Sequence, residues 1–208
     1  MRIIAGSLKG RRLDAPDWGG LRPTSDKLRE TLFNVLASRI DGARVLDAYA
    51  GSGAVGLEAL SRGAAHVTFV ERDPRAVRLI AANLERCGVG AGGDRAVKAG
   101  ASRGDRYAII RAGFAGAHRR LSDPAFDIIF LDPPYGKDEM IEALTVAAPL
   151  AAEATLIVLE HAKRDASPEQ IAGLARTRAL TSGDSALSFY ARLTADATGA
   201  SAEPLRSP

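Results

Sequence analysis

The chain has 208 residues, 46% of them hydrophobic and 25% charged, with 21 glycines and 10 prolines. That length suits one large α/β domain or two small ones, and the balance excludes a wholly disordered, collagen-like or coiled-coil chain. The net charge of +3 is polarised, +4 over residues 1–40, −1 over 41–85, +6 over 86–120 and −6 over 121–208, so two basic segments could form one face for a polyanion, the alternative being solvated surface. A single cysteine, Cys87, and three scattered histidines, His66, His118 and His161, offer neither an intrachain disulfide nor a zinc cluster. A reducing compartment, no metal, and structural or surface roles for the histidines are expected.

The N-terminus, Met1 to Arg12, lacks the apolar run of a signal peptide, and a cytoplasmic location follows as the expectation. Leu28, Leu32, Val35 and Leu36 recur at helical spacing, with Ser25 or Thr24 placed to cap the first turn, so a helix is predicted from about Ser25 to Ser38. From Arg44 onward, short β-branched runs alternate with amphipathic ones of helix length. Arg44–Asp47, Val67–Val70, Tyr107–Ile110, Phe126–Leu131 and Thr155–Leu159 are the predicted strands. Pro149 and Glu153 interrupt the most apolar stretch, Ala143 to Leu159, which reads as a helix end, a turn and a buried strand rather than a membrane span.

Residues 90–106 have neither periodicity and read as a basic loop, either a solvated insertion or an arm that contacts nucleic acid. Arg176–Thr181 and Leu187–Leu193 flank Ser182-Gly183-Asp184-Ser185 as an antiparallel hairpin. The resulting division is a basic extension and helix over 1–40, an α/β domain over 41–195 and a disordered tail over 196–208. Alternating strands and helices imply a mostly parallel sheet whose ligands bind at the carboxyl ends of its strands.

Two motifs stand at such ends. The first is Val45-Leu-Asp-Ala-Tyr-Ala-Gly-Ser-Gly-Ala-Val-Gly56, where Gly51, Gly53 and Gly56 keep the G-x-G-x-x-G spacing before a helix. Glu71 follows 20 residues after Gly51, where a carboxylate can accept from ribose hydroxyls, with Arg72 beside it. A dinucleotide and S-adenosylmethionine both satisfy this pattern. Asp47 separates them, because a carboxylate before the turn repels a pyrophosphate and attracts an ammonium. Its other reading is a cap for the turn or the following helix.

The second motif is Phe126-Asp-Ile-Ile-Phe-Leu-Asp-Pro-Pro-Tyr-Gly136, a buried strand running into Asp132-Pro133-Pro134-Tyr135. An exocyclic amine on a base is a poor nucleophile because its lone pair is delocalised into the ring, so a catalyst must hold its hydrogens out of plane. Asp132 and the Pro133 carbonyl can accept those hydrogens. The two prolines restrict the backbone that carries the acceptors, and Tyr135 offers a face on which a flipped base stacks.

With these residues read, the sequence resembles the RsmD family of bacterial 16S ribosomal RNA guanine-N2 methyltransferases over most of residues 1–193. The resemblance rests on Met1-Arg-Ile-Ile-Ala-Gly6, Leu21-Arg-Pro-Thr-Ser-Asp-Lys-Leu-Arg-Glu-Thr-Leu-Phe-Asn34, the run from Asp47 to Gly63, and Asp132-Pro-Pro-Tyr135. It implies a Rossmann-like class I S-adenosylmethionine-dependent methyltransferase fold, a mostly parallel seven-stranded sheet ending in the hairpin, in a monomer acting on assembled or assembling small ribosomal subunits. It also implies that Asp47, Gly51, Ser52 and Gly53 line the methionine side of S-adenosylmethionine, Glu71 the ribose, and Asp132 to Tyr135 the guanine, with Ala50 and Arg72 also binding the cofactor. Arg2, Lys9, Arg11, Arg12 and Arg22 would belong to an RNA-binding extension. Thr24 and Arg29, in the signature helix, would lie near the site or serve the structure.

One departure concerns Ile109-Ile-Arg-Ala-Gly-Phe114, which places Gly113 where the family pattern has Asp or Asn near the adenine. A DNA adenine-N6 methyltransferase is the nearest alternative, since Asp-Pro-Pro-Tyr serves exocyclic amines on several bases, but little chain remains to read a DNA sequence. A nicotinamide-dependent oxidoreductase using Gly51 to Gly56, and an inactive RNA-binding module, are disfavoured by Asp47 and by the intact tetrapeptide respectively.

Overall fold

The structure, a computed structural model, describes residues 1–18, 25–90, 106–117, 120–121 and 126–193. Five helices, α1 (Asp26–Val35), α2 (Ala54–Ser61), α3 (Pro74–Arg86), α4 (Phe114–Ala117) and α5 (Lys137–Ala147), alternate with strands β1 (Arg44–Asp47), β2 (His66–Glu71), β3 (Tyr107–Arg111), β4 (Phe126–Leu131) and β5 (Ala151–Ala162). Three further strands, β6 (Gln170–Ile171), β7 (Leu174–Ser182) and β8 (Ser185–Arg192), complete one sheet of order β3-β2-β1-β4-β5-β8-β7-β6. Pairing is parallel from β3 to β5 and antiparallel beyond. The order reverses between β1 and β4, which opens a crevice at their carboxyl ends.

The predicted strands all form. The sheet has eight strands rather than seven, because the two residues of β6 pair with the start of β7, an edge too short for any periodicity to reveal. Helix α1 stops at Val35 rather than Ser38, since the N–H of Leu36 closes the last helical bond to Leu32 and Arg39 turns back onto Leu36. Ser25 is its cap, accepting from the N–H of Leu28 at 3.2 Å. Thr24 lies outside the described residues, as do Arg22, His118, residues 91–105 of the basic loop and the tail from 194.

Apolar alternation along each strand fills two cores. Val45, Val67, Phe69, Ile128, Phe130 and Val158 face α1, α2 and α3, whereas Leu46, Val70, Ile129, Leu131, Ile157 and Leu159 face α4 and α5. The first core also takes in Ile3 and Leu13 from the N-terminal segment and Leu28, Leu32 and Phe33 from α1. Residues before Arg44 therefore share a core with the sheet. Truncating one such buried leucine costs about 2–5 kcal/mol. Helix α5 ends in a 3-10 turn, Ala148–Leu150, that contains Pro149 and leads into β5, as the interrupted apolar stretch predicted. No described helix is long and apolar enough to cross a membrane.

Candidate active site

A cleft of about 800 Å³ opens at the carboxyl ends of β1, β2, β3, β4 and β5. Its floor is the β1–α2 turn, Asp47 to Ser52, in which Gly51 has a φ of 54°, and Gly53 just after it has a φ of 77°. L-residues rarely adopt that conformation, and glycine adopts it freely. The third glycine serves packing: a Cβ on Gly56 would collide with the buried Phe69 ring, so α2 lies this close to β2 because no side chain stands there. The turn is held from both sides. Glu71 Oε2 accepts from the N–H of Gly51 at 2.9 Å, and Asn83 of α3 donates to the Ser52 carbonyl at 3.0 Å.

Asp47 is 2% exposed and lines the cleft. Its Oδ2 accepts from the N–H of Gly56 at 3.0 Å, which caps α2, so the capping role weighed for it is present. Burial pushes its carboxyl up to about 7, the Gly56 N–H opposes that shift, and nearby Glu71 adds to it. Glu71 also fixes the next turn, with Oε1 accepting from the N–H of Asp73 at 2.8 Å. Each carboxylate oxygen keeps further acceptor capacity.

On the other side of the crevice, Asp132, Pro133, Pro134 and Tyr135 leave β4 and line the same cleft. Tyr135 is 42% exposed, and its hydroxyl lies 3.2 Å from Ser185 Oγ, which ties the tetrapeptide to the β7–β8 turn. Beyond β3, Gly113 and Phe114 form the end wall, where Phe114 meets Tyr49 edge to face at 5.7 Å between centroids. The lining holds seven carboxylates, Asp47, Glu71, Asp132, Glu139, Glu142, Glu160 and Asp184, against one described cation, Arg72. Such a field favours positive charge and hydrogen-bond donors and repels free phosphate.

Three comparisons bear on this arrangement. Residues 1–191 match the model of the family described as Conserved hypothetical protein 95. The chain is 37% identical over 195 residues to Ribosomal RNA small subunit methyltransferase D of Escherichia coli (strain K12), covering 92% of this chain and 90% of that protein. It is 38% identical over 192 residues to the Bacillus subtilis (strain 168) protein named "Putative rRNA methyltransferase YlbH", covering 91% and 98%. The solved Escherichia coli structure named "Putative methyltransferase yhhF" superposes with a TM-score of 0.75 at 34% identity, covering 92% of this chain and 97% of that one.

The chain belongs to the RsmD family.

Its fold is the Rossmann-like methyltransferase fold that the resemblance implied. The structure brings together Asp47, Ala50, Gly51, Ser52, Glu71, Arg72 and Asp132 to Tyr135 in one cleft. Gly53 is not among the lining residues; it is the N-cap of α2, and it packs on Ile80.

The basic residues divide. Arg2, Lys9, Arg11 and Arg12 are exposed, and Arg2 and Arg12 face each other across a β-bridge. Arg29 is different. It is fully buried, donates to the Arg2 carbonyl at 2.7 Å and to Asp26 at 2.8 Å, and is drawn down by desolvation. Its guanidinium braces the N-terminal segment against α1 rather than presenting charge to an RNA, which corrects the RNA-contact reading in favour of the structural one.

Sequence reasoning missed Glu160, Glu139, Glu142 and the β7–β8 turn. Glu160 was within reach, because it directly follows the predicted strand Thr155–Leu159. The turn reaches the cleft only through long-range pairing of β8 with β5, which no local signal carries.

Proposed function

We propose that this chain transfers the methyl group of S-adenosylmethionine to the exocyclic N2 of a guanine in the 16S ribosomal RNA of the small subunit, on an assembled or assembling particle. The observation that carries this reading is the sharing of one cleft by the Asp47–Ser52 turn and the Asp132–Tyr135 tetrapeptide. Relatives over more than nine-tenths of the chain that are named for ribosomal RNA methylation support it.

The residues fit S-adenosylmethionine. A buried carboxylate at Asp47 matches the methionine ammonium, the positive-φ turn lets a ligand approach the backbone, and Glu71 and Arg72 face a ribose. The Tyr49–Phe114 corner would supply an apolar wall for the adenine. When bound, the cofactor would supply an electrophilic methyl group on a sulfonium, whose S–CH3 bond would break as the methyl is transferred, its electron pair staying on sulfur as a neutral thioether.

The chain does the rest by positioning. Asp132 and the Pro133 carbonyl accept from the two N2 hydrogens and turn the nitrogen lone pair out of the ring plane. Tyr135 stacks on the flipped base. Once the new N–C bond has formed, the surplus N2 proton leaves to Asp132 or to water. Arg2, Lys9, Arg11 and Arg12, none of which lines the acidic cleft, contact RNA phosphates, and Arg22 and Thr24 are assigned to RNA binding from the sequence alone.

Replacing Asp132 with Ala tests the assignment. Calorimetric binding of S-adenosylmethionine should persist within a few-fold while transfer to small subunits falls by about 100-fold or more. Unchanged turnover would remove Asp132 from the chemistry.

A further inference from the structure

Four adjacent strands each carry a carboxylate at or near the carboxyl end: Asp47 and Glu71 are the last residues of β1 and β2, Asp132 directly follows β4, and Glu160 lies two residues before the end of β5. Val67, Phe69, Val45, Ile128, Phe130 and Val158 all pack into the same core. Two residues beyond Phe69, Val45, Phe130 and Val158, on the same side of the pleat, come Glu71, Asp47, Asp132 and Glu160. Phe130 pairs with Val158 and Leu131 with Leu159, so Asp132, the residue after β4, and Glu160 of β5 each follow the last paired positions. Among the described residues no three such side chains converge as metal ligands. The row therefore offers acceptors one at a time along the cleft. Asp47 and Glu71 stand at the glycine turn, and Asp132 stands across the cleft from them, where the proposed function puts the amine.

Glu160 is 4% exposed, lines the cleft and has no role in the chemistry described above. We infer that Glu160 is the base-selecting residue, a carboxylate beside Asp132 that accepts the N1–H of guanine. This rests on the guanine reading given under Proposed function.

Guanine presents adjacent donors, N1–H and the N2 amine, on its Watson–Crick edge, whereas adenine presents an amine beside an N1 lone pair. An ionised carboxylate has acceptors only. With Asp132 and the Pro133 carbonyl occupied by the amine, the buried carboxylate of Glu160 one strand over complements N1–H and repels a bare N1. Discrimination then comes from repulsion as much as from attraction. Sites built to hydrogen-bond one edge reject its isostere strongly, because a mismatched buried group is left unpaired.

The test uses 2,6-diaminopurine, which keeps the N2 amine and has a lone pair at N1. Small subunits are rebuilt from ligated ribosomal RNA carrying either guanine or 2,6-diaminopurine at the position the wild-type protein labels. The wild type should favour guanine in kcat/KM by about 10- to 100-fold. Glu160→Gln, whose amide can donate to N1, should lose about 10-fold or more on guanine and shift the ratio toward 2,6-diaminopurine by a similar factor, with S-adenosylmethionine affinity by calorimetry unchanged.

Equal use of the two bases by the wild type would overturn the inference, and that result needs no variant to fold. A Glu160→Gln protein that binds the cofactor and keeps the wild-type base ratio would overturn it too. If the wild type binds cofactor but labels no guanine in any subunit, the proposed function itself fails.

Discussion

Glu58, in the middle of α2, accepts from the backbone N–H of Ile4 at 2.7 Å, and its second oxygen accepts from that of Ala5 at 3.0 Å. The carboxylate is fully buried and also takes the Arg62 guanidinium at 2.8 Å. One turn further, Ser61 Oγ accepts from the N–H of Leu8 at 2.9 Å and donates to the Ala5 carbonyl at 2.5 Å. Two separate sequence signatures, Met1 to Gly6 and the run from Asp47 to Gly63, are thus joined here. Replacing Glu58 with Ala leaves two buried N–H groups without acceptors and should destabilise the fold by about 2–4 kcal/mol. Denaturant unfolding would read the loss, and amide exchange should rise first at Ile4 and Ala5.

Asp47 makes cofactor binding pH-dependent. Its folded pKa of about 7 lies above the ordinary 3.8, so the ligand-free protein keeps a proton that the unfolded chain releases. The stability this proton provides is full below about pH 4 and is lost as pH rises through 7. An ammonium needs the ionised carboxylate, so S-adenosylmethionine should bind more tightly from pH 5.5 to 7.5. Asp47→Asn keeps an acceptor for Gly56 but not the charge. Calorimetry should find its affinity weaker and nearly flat across that range, while its ligand-free form gains stability at pH 8 and not at pH 4.

Gly113 has room for a side chain. No heavy atom lies within 4 Å of a Cβ built there, and the position faces the cleft beside Phe114. Gly113→Asp should therefore fold, and it should bind S-adenosylmethionine up to about tenfold more tightly by adding one acceptor for the adenine amine. An unchanged dissociation constant would mean that the adenine lies elsewhere.

The buried and exposed cations should separate cleanly. Alanine at Arg2, Lys9, Arg11 and Arg12 together should weaken binding to small subunits and flatten its salt dependence by roughly three to four phosphate contacts. Arg29→Ala should instead lower the unfolding midpoint, since its donors to Arg2 and Asp26 are lost, and leave the salt slope of the folded protein unchanged.

Much of this was legible in the sequence because it is local. Five strands could be marked by their β-branched runs, Ser25 by its place before an apolar helical face, and the two chemical motifs by their positions at strand ends. What stayed hidden depends on contacts between distant segments. Arg29 reads as a surface cation until the N-terminal segment folds over it. Glu58 reads as an ordinary helical acid until Ile4 and Ala5 arrive from 53 or more positions away. Glu160 becomes part of the cleft only through the β4–β5 register. The eighth strand exists because β7 supplies an edge, not because Gln170 and Ile171 favour extension.

The most direct measurement is to incubate the purified protein with labelled S-adenosylmethionine and small ribosomal subunits that lack this methylation, digest the RNA, and identify the labelled nucleoside by mass spectrometry. The account predicts N2-methylguanosine at one position of the 16S RNA. Label on any other nucleoside, or none while the cofactor binds and the particles are competent for a control enzyme, would contradict it.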